Sequence, residues 1–190
     1  MKNKNLRCIT ECAVMVALSL ALSYLKIPIG LAFGGFGGSI DLVMIPLIVL
    51  AVHRGLSWGL GAGLVFGTLK YFFASGAAIN WESMLLDYSI AYAFVGFAGL
   101  LHGSFAKGKL RALPIGALVG CACRFVIHFI SGVTIYAEYF EEAFMGVRGL
   151  NPTTYSLLYN GTYMLPNTVL AVALCALLAK PLAKLLRKMD

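Results

Sequence analysis

Charge is what this sequence has least of. Only 15 Lys or Arg and 8 Asp or Glu occur in 190 residues, 12% charged against 60% hydrophobic. With a mean hydropathy of +0.85, that scarcity excludes an ordinary soluble or disordered chain and predicts an integral membrane protein. The five cysteines (Cys8, Cys12, Cys121, Cys123, Cys175) form no C-x-x-C pair and lie in apolar stretches, so core packing is their expected use. No metal constellation is expected from the three histidines; His53 and His102 read as solvated residues at helix ends. A phosphate loop is also missing. "GSFAKGKL", Gly103 to Leu110, has the glycine and lysine spacing, but Leu110 replaces the required Ser or Thr and a membrane helix precedes it. The chain is therefore expected to have no ATP motor, no cofactor and no metal. Nor is there a soluble domain, a long linker or a small-residue cleavage site after the first apolar stretch, so 1–190 is expected to be one membrane domain.

What is present are apolar stretches along the whole length. Six candidate spans emerge, roughly 8–25, 40–53, 55–73, 84–103, 113–137 and 154–179, measured against the roughly 20 residues a bilayer needs. The second is short. The predicted fold is all-α, with six transmembrane helices. Lys2, Lys4, Arg7, Arg54, Lys107, Lys109, Arg111, Lys180, Lys184, Arg187 and Lys188 fall on one side of these spans; Lys26 and Arg148 fall on the other. Short basic loops stay in the cytoplasm, so both termini are expected there. Asp41, Glu82, Asp87, Glu138, Glu141 and Glu142 cluster on the opposite face, an acidic funnel that would concentrate small cations. The net charge of +7 thus describes the cytoplasmic face and implies no nucleic acid partner.

One acid does not belong to a loop. In "LLDYSIAYAFVG", Asp87 opens a run that is otherwise apolar or weakly polar, where a bare charge costs roughly 2.5–3.5 kcal/mol even on the lenient insertion scale. In "RFVIHFISGVTIYAEY", Arg124 and His128 share a helical face with Ser131, Gly132 and Tyr139, with Tyr136 near its edge. In "TYSLLYNGTYMLPN", Tyr155, Tyr159, Asn160, Tyr163 and Asn167 occupy one outer half, with Pro166 able to open the backbone. Counting inward from the span ends brings Asp87, His128, Tyr136, Tyr155 and Asn160 to one depth. Two readings fit: groups that satisfy one another to hold helices together, for example Arg124 with Asp87, or a wet pocket for a flat, cationic, hydrogen-bonding ligand. Gly59, Gly63 and Gly67 are spaced for close helix contact, and Ala13, Ala17 and Ala21 give the first helix a smooth face for internal packing or for a partner.

These blocks, with the "GGSIDLVMIPL" that opens the second span, resemble the thiamine transporter family (ThiT, also YuaJ), the thiamine-specific S-components of energy-coupling factor (ECF) transporters. The likeness runs from about residue 8 to 180. It implies a six-helix protein of the bacterial plasma membrane that binds thiamine with high affinity near the outer surface and is not an enzyme. It further implies partnership with an ECF transmembrane coupling subunit and two ATPase subunits. Carried over, the substrate-binding positions fall on Asp87, Tyr88, His128, Gly132, Tyr136, Tyr155 and Asn160, with Phe36 and Trp81 as lid aromatics. The partner-docking face falls on Ala13, Ala17 and Ala21. Asp87 stands where some members carry Glu, and Tyr136 where some carry Trp. Two other classes remain open: a structural or assembly subunit using its smooth helix faces, and an intramembrane hydrolase built from Ser131, His128 and Asp87.

Overall fold

The computed structural model describes residues 2–29, 37–74 and 76–189. Among them six helical segments follow in order: α1 (Lys2–Leu22), α2 (Met44–Arg54), α3 (Leu56–Phe73), α4 (Trp81–Ala106), α5 (Ala112–Thr134) and α6 (Pro152–Met189). Two short antiparallel ladders were not expected from the sequence. β1 (Ile27–Pro28) pairs with β2 (Ser39–Ile40), and β3 (Ala143–Phe144) with β4 (Val147–Arg148). Four stretches are long and apolar enough to cross a membrane by length and composition: Asn5–Leu22, Trp81–Ala106, Ala112–Thr134 and Pro152–Leu185. The glycines and Lys70 dilute the hydropathy of the 18-residue α3.

The short second helix is the centre of the molecule. Its 11 residues reach about 16 Å, well under the roughly 30 Å of a hydrocarbon core. Met44 and the run from Pro46 to His53 are buried, so α2 is apolar on every side because every side is covered. α1, α3, α4, α5 and α6 pack in sequence around it. His53 is not the solvated residue expected from its position: it is buried, with Nδ1 3.5 Å from Glu11. Arg54 grips the same carboxylate with Nε and Nη2, each at 2.6 Å, which ties α1 to the α2–α3 corner. His102 Nδ1, 3.1 Å from the Val52 carbonyl, brings the far part of α4 to that same end.

α3 and α4 approach backbone to backbone. A methyl group at Gly67 would land on the Tyr88 carbonyl, one at Gly63 on the Tyr92 carbonyl, and one at Gly59 2.9 Å from the Gly96 carbonyl oxygen. The four-residue spacing of these glycines meets a four-residue spacing on α4, so close packing is their use. α4 itself is not uniform. A π turn, Leu85–Ile90, is followed by an α segment and then by a 3-10 stretch, Gly96–Leu101. π turns are rare and gather at functional sites; this one carries Asp87. α6 runs unbroken past Pro166 and Pro181, so Pro166 does not open the backbone as its position in the sequence led us to expect.

Candidate functional site

At the end of the bundle away from Arg54 and His102, the helices part around a cavity of about 290 Å³. Its walls come from α3, α4, α5 and α6, and its rim from the segments around Lys26, Gly37, Ala77 and Tyr136. Asp87, Tyr88, His128, Gly132, Tyr136, Tyr155 and Asn160 all line it. Trp81 does not: it is 67% exposed at the start of α4. Phe36 lies outside the described residues.

Asp87 is held by two donors on one face of α5. His128 Nδ1 lies 2.9 Å from Oδ1, and the Ser131 hydroxyl donates to Oδ2 at 2.8 Å. The three-residue spacing of His128 and Ser131 puts them one helical turn apart, so one carboxylate can take both. The pairing of Arg124 with Asp87 expected from the gluing alternative is not formed. Arg124 instead donates from Nη2 to the Tyr92 hydroxyl at 3.0 Å and lies over the Tyr92 ring, 4.1 Å from its centroid. With His128 Nδ1 turned to the carboxylate, Nε2 has no hydrogen-bond partner among the described residues. A buried imidazole nitrogen in that state is a ready partner for a bound molecule.

Asn160 is more committed than its sequence position suggested. Its amide nitrogen donates to the Ser156 carbonyl at 2.9 Å and the Ser156 hydroxyl at 3.2 Å, with a longer contact of 3.4 Å to the His128 carbonyl. Its side-chain oxygen accepts from the Tyr163 hydroxyl. Gly132 makes this packing possible, because a methyl there would strike the Ser156 hydroxyl and lie 2.8 Å from Ser156 Cβ.

The wall of α6 is aromatic. Tyr155, Tyr159 and Tyr163 recur every four residues on one face; the first two rings stack at 5.9 Å with 7° between their planes, and Tyr163 meets Tyr159 edge-on. Phe144, brought over by the β3–β4 hairpin, packs edge-on against both Tyr155 and Tyr159. Two tyrosine hydroxyls also fasten the rim. The Tyr88 hydroxyl accepts from the Ala77 amide at 2.7 Å, and the Tyr159 hydroxyl accepts from the Gly37 amide at 3.0 Å.

The inner end of the cavity holds a charged group to which the sequence analysis gave no role. Lys70 donates to Asp41 Oδ2 at 3.2 Å and to the Tyr92 hydroxyl at 2.6 Å. Asp41 is further held by Ser39, and its backbone amide donates to the Asn167 side chain at 2.9 Å. The Asp41 side chain is only 2% exposed and is paired, so it does not belong to the acidic funnel inferred from loop charges. Lys70 was findable. A lysine inside an apolar helix is itself the signal, since such a charge demands a partner.

The arrangement offers an anionic oxygen pair, an imidazole and stacked phenol rings in a space of small-molecule size. It is not a hydrolytic relay, because Ser131 and His128 both point to the same carboxylate and the hydroxyl does not donate to the imidazole.

Comparison with known proteins yields four concordant likenesses. Residues 9–187 match the family described as Thiamine transporter protein (Thia_YuaJ). The chain is 31% identical over 188 residues to the thiamine transporter ThiT of Lacticaseibacillus paracasei, covering 93% of this chain and 89% of that one. It is 30% identical over 190 residues to the ThiT of Bacillus subtilis, covering 93% and 92%. Among solved structures, ThiT from Listeria monocytogenes superposes with a TM-score of 0.79 at 25% identity, over 96% of this chain and 98% of that one.

Proposed function

Because the chain belongs to the thiamine transporter (ThiT/YuaJ) family, a membrane-embedded and non-enzymatic family of thiamine carriers, we propose that it is a high-affinity thiamine-binding S-component of an ECF-type importer. The observation that carries this reading is the Asp87 carboxylate, fixed by His128 and Ser131 inside a tyrosine-walled cavity. Thiamine joins a cationic thiazolium to an aminopyrimidine. Aromatic faces attract the first, and a carboxylate with an adjacent imidazole nitrogen supplies acceptors for the second. Asp87, Tyr88, His128, Gly132, Tyr136 and Tyr155 are the proposed binding residues. Asn160 is proposed with them: it lines the cavity, and its side-chain oxygen, which accepts one hydrogen bond from Tyr163, keeps a second lone pair for a ligand.

Six transmembrane helices with both termini in the cytoplasm is the topology we propose. The basic residues Arg7 and Arg54 lie at the end away from the cavity, which supports an outward-facing site under the positive-inside rule. The chain has no phosphate loop, so uptake requires an ECF transmembrane coupling subunit and two ATPase subunits in the bacterial plasma membrane. Ala13, Ala17 and Ala21 are exposed on α1, next to the exposed Val14 and Leu18, and we assign them to docking of the coupling subunit. A purely structural or assembly subunit would need no such cavity.

Calorimetric titration of the purified chain with thiamine tests the proposal, with riboflavin and biotin as controls. Saturable binding of thiamine alone is expected. Absence of a thiamine isotherm, or equal binding of the controls, would overturn it.

A further inference from the structure

The end of the molecule opposite the cavity carries a groove that thiamine binding does not use. It lies where α4 ends and α5 begins, and Leu101, Ser104, Lys109, Leu110, Arg111 and Ile115 line it. Part of the lining is apolar: Leu110 is 39% and Ile115 47% exposed. Lys109 and Arg111 make it basic as well, and the turn between the helices holds them in place. Gly108 adopts φ +86, a left-handed conformation that favours glycine. Its amide donates to the Phe105 carbonyl at 2.8 Å, Lys109 donates to the Ser104 carbonyl at 3.1 Å, and the Lys109 carbonyl accepts from Ala112 at 3.0 Å.

Among the described residues neither Lys109 nor Arg111 forms an ion pair. Among the described residues, Glu11, the acid at this end, is already shared by Arg7, His53 and Arg54. Both helices that frame the groove are apolar enough to cross a membrane, so their shared turn comes to the depth of the lipid headgroups. Uncompensated positive charge above an apolar cleft at that depth complements a phosphate ester attached to an acyl chain.

We propose that this groove binds an anionic phospholipid, with the phosphate on Lys109, Arg111 and the Ser104 hydroxyl and the first acyl carbons along Leu101, Leu110 and Ile115. The inference rests on the membrane embedding of the chain and is independent of what the cavity binds.

Native mass spectrometry of delipidated full-length protein tests it, with phosphatidylglycerol, phosphatidylcholine of the same acyl chains, and free glycerol phosphate as probes. Phosphatidylglycerol is expected to be retained about thirtyfold better than phosphatidylcholine, from two basic groups each worth about fivefold. The double variant Lys109→Gln/Arg111→Gln should bring the two lipids to within about threefold of each other. Ile115→Trp, which keeps every charge but fills the apolar side, should also reduce retention of phosphatidylglycerol. Unchanged thiamine binding in these variants establishes that they fold. Equal retention of both lipids by the native chain, undiminished selectivity in the double variant, or an Ile115→Trp chain that binds phosphatidylglycerol normally would each overturn the proposal. So would free glycerol phosphate competing as well as the lipid.

Discussion

Replacing Gly132 with alanine adds one methyl group to a wall of the cavity that touches nothing charged. The new Cβ strikes the Ser156 hydroxyl and sits 2.8 Å from Ser156 Cβ and 3.5 Å from Asn160 Nδ2. Ser156 cannot swing aside cheaply. Its hydroxyl donates across the α5–α6 seam to the Phe129 carbonyl at 3.1 Å and accepts from Asn160 of its own helix at 3.2 Å. Relief therefore comes from moving α6 away from α5, which overpacking studies place at about 1–3 kcal/mol. Tyr155 and Tyr159 ride on that part of α6, and a shift of that kind misplaces the aromatic wall against Asp87. We expect thiamine Kd to rise about five- to hundredfold, with a lower Tm in detergent. Calorimetry and thermal unfolding measure both. A second substitution sharpens the logic: Ser156→Gly in the Gly132→Ala background removes the obstructing side chain and should restore a large part of the affinity. If Gly132→Ala binds thiamine with native affinity and melts at the native temperature, the proposed steric coupling between α5 and α6 is wrong.

Asp87→Asn keeps the shape and one acceptor oxygen but removes the charge; a hydrogen bond to a charged group is worth about 1.5–3 kcal/mol, so thiamine Kd should rise roughly ten- to hundredfold, and a change under threefold by calorimetry would remove Asp87 from the site. Lys70→Met leaves the buried Asp41 carboxylate without its cation, at a cost of about 3–5 kcal/mol. Its Tm should drop sharply and recover in part in Lys70→Met/Asp41→Asn; a native Tm in the single variant would refute the pairing. Ala17→Trp or Ala21→Trp alters only an exposed face of α1, so binding should persist while uptake of labelled thiamine by cells is lost. Normal uptake would clear that face of any docking role.

The helices were legible in the sequence because length and hydropathy alone define most of them, and the blocks around Asp87, His128 and Asn160 gave the residues around the cavity. The boundaries of α2 were weak for a physical reason. A helix covered on all sides needs no polar flanks at bilayer spacing, and it ends where the bundle's centre ends. The π turn at Leu85–Ile90 was invisible, since a wider turn has no compositional mark. Lys70 had no place in the sequence reading, because a salt bridge to Asp41 across 29 residues depends on how the helices pack rather than on any local pattern. The Arg124–Asp87 pair offered by the gluing alternative fails on the same ground: azimuth around α5 turns Arg124 to Tyr92.

The glycine seam between α3 and α4 bears on how the cavity moves. Where carbonyl meets backbone at Gly59, Gly63 and Gly67, there are no side chains whose rotamers could absorb a slide or a twist. The two helices form one stiff plank, and Asp87 is mounted on it. Away from the cavity Gly120 brings α5 against the Val95 carbonyl of the plank, but around the cavity α5 and α6 meet it and the rim through hydrogen bonds and ring edges, which re-form after displacement. The site thus has a fixed jaw bearing the carboxylate and a yielding jaw bearing the imidazole and the tyrosines, and a guest that enters does its rearranging on the second.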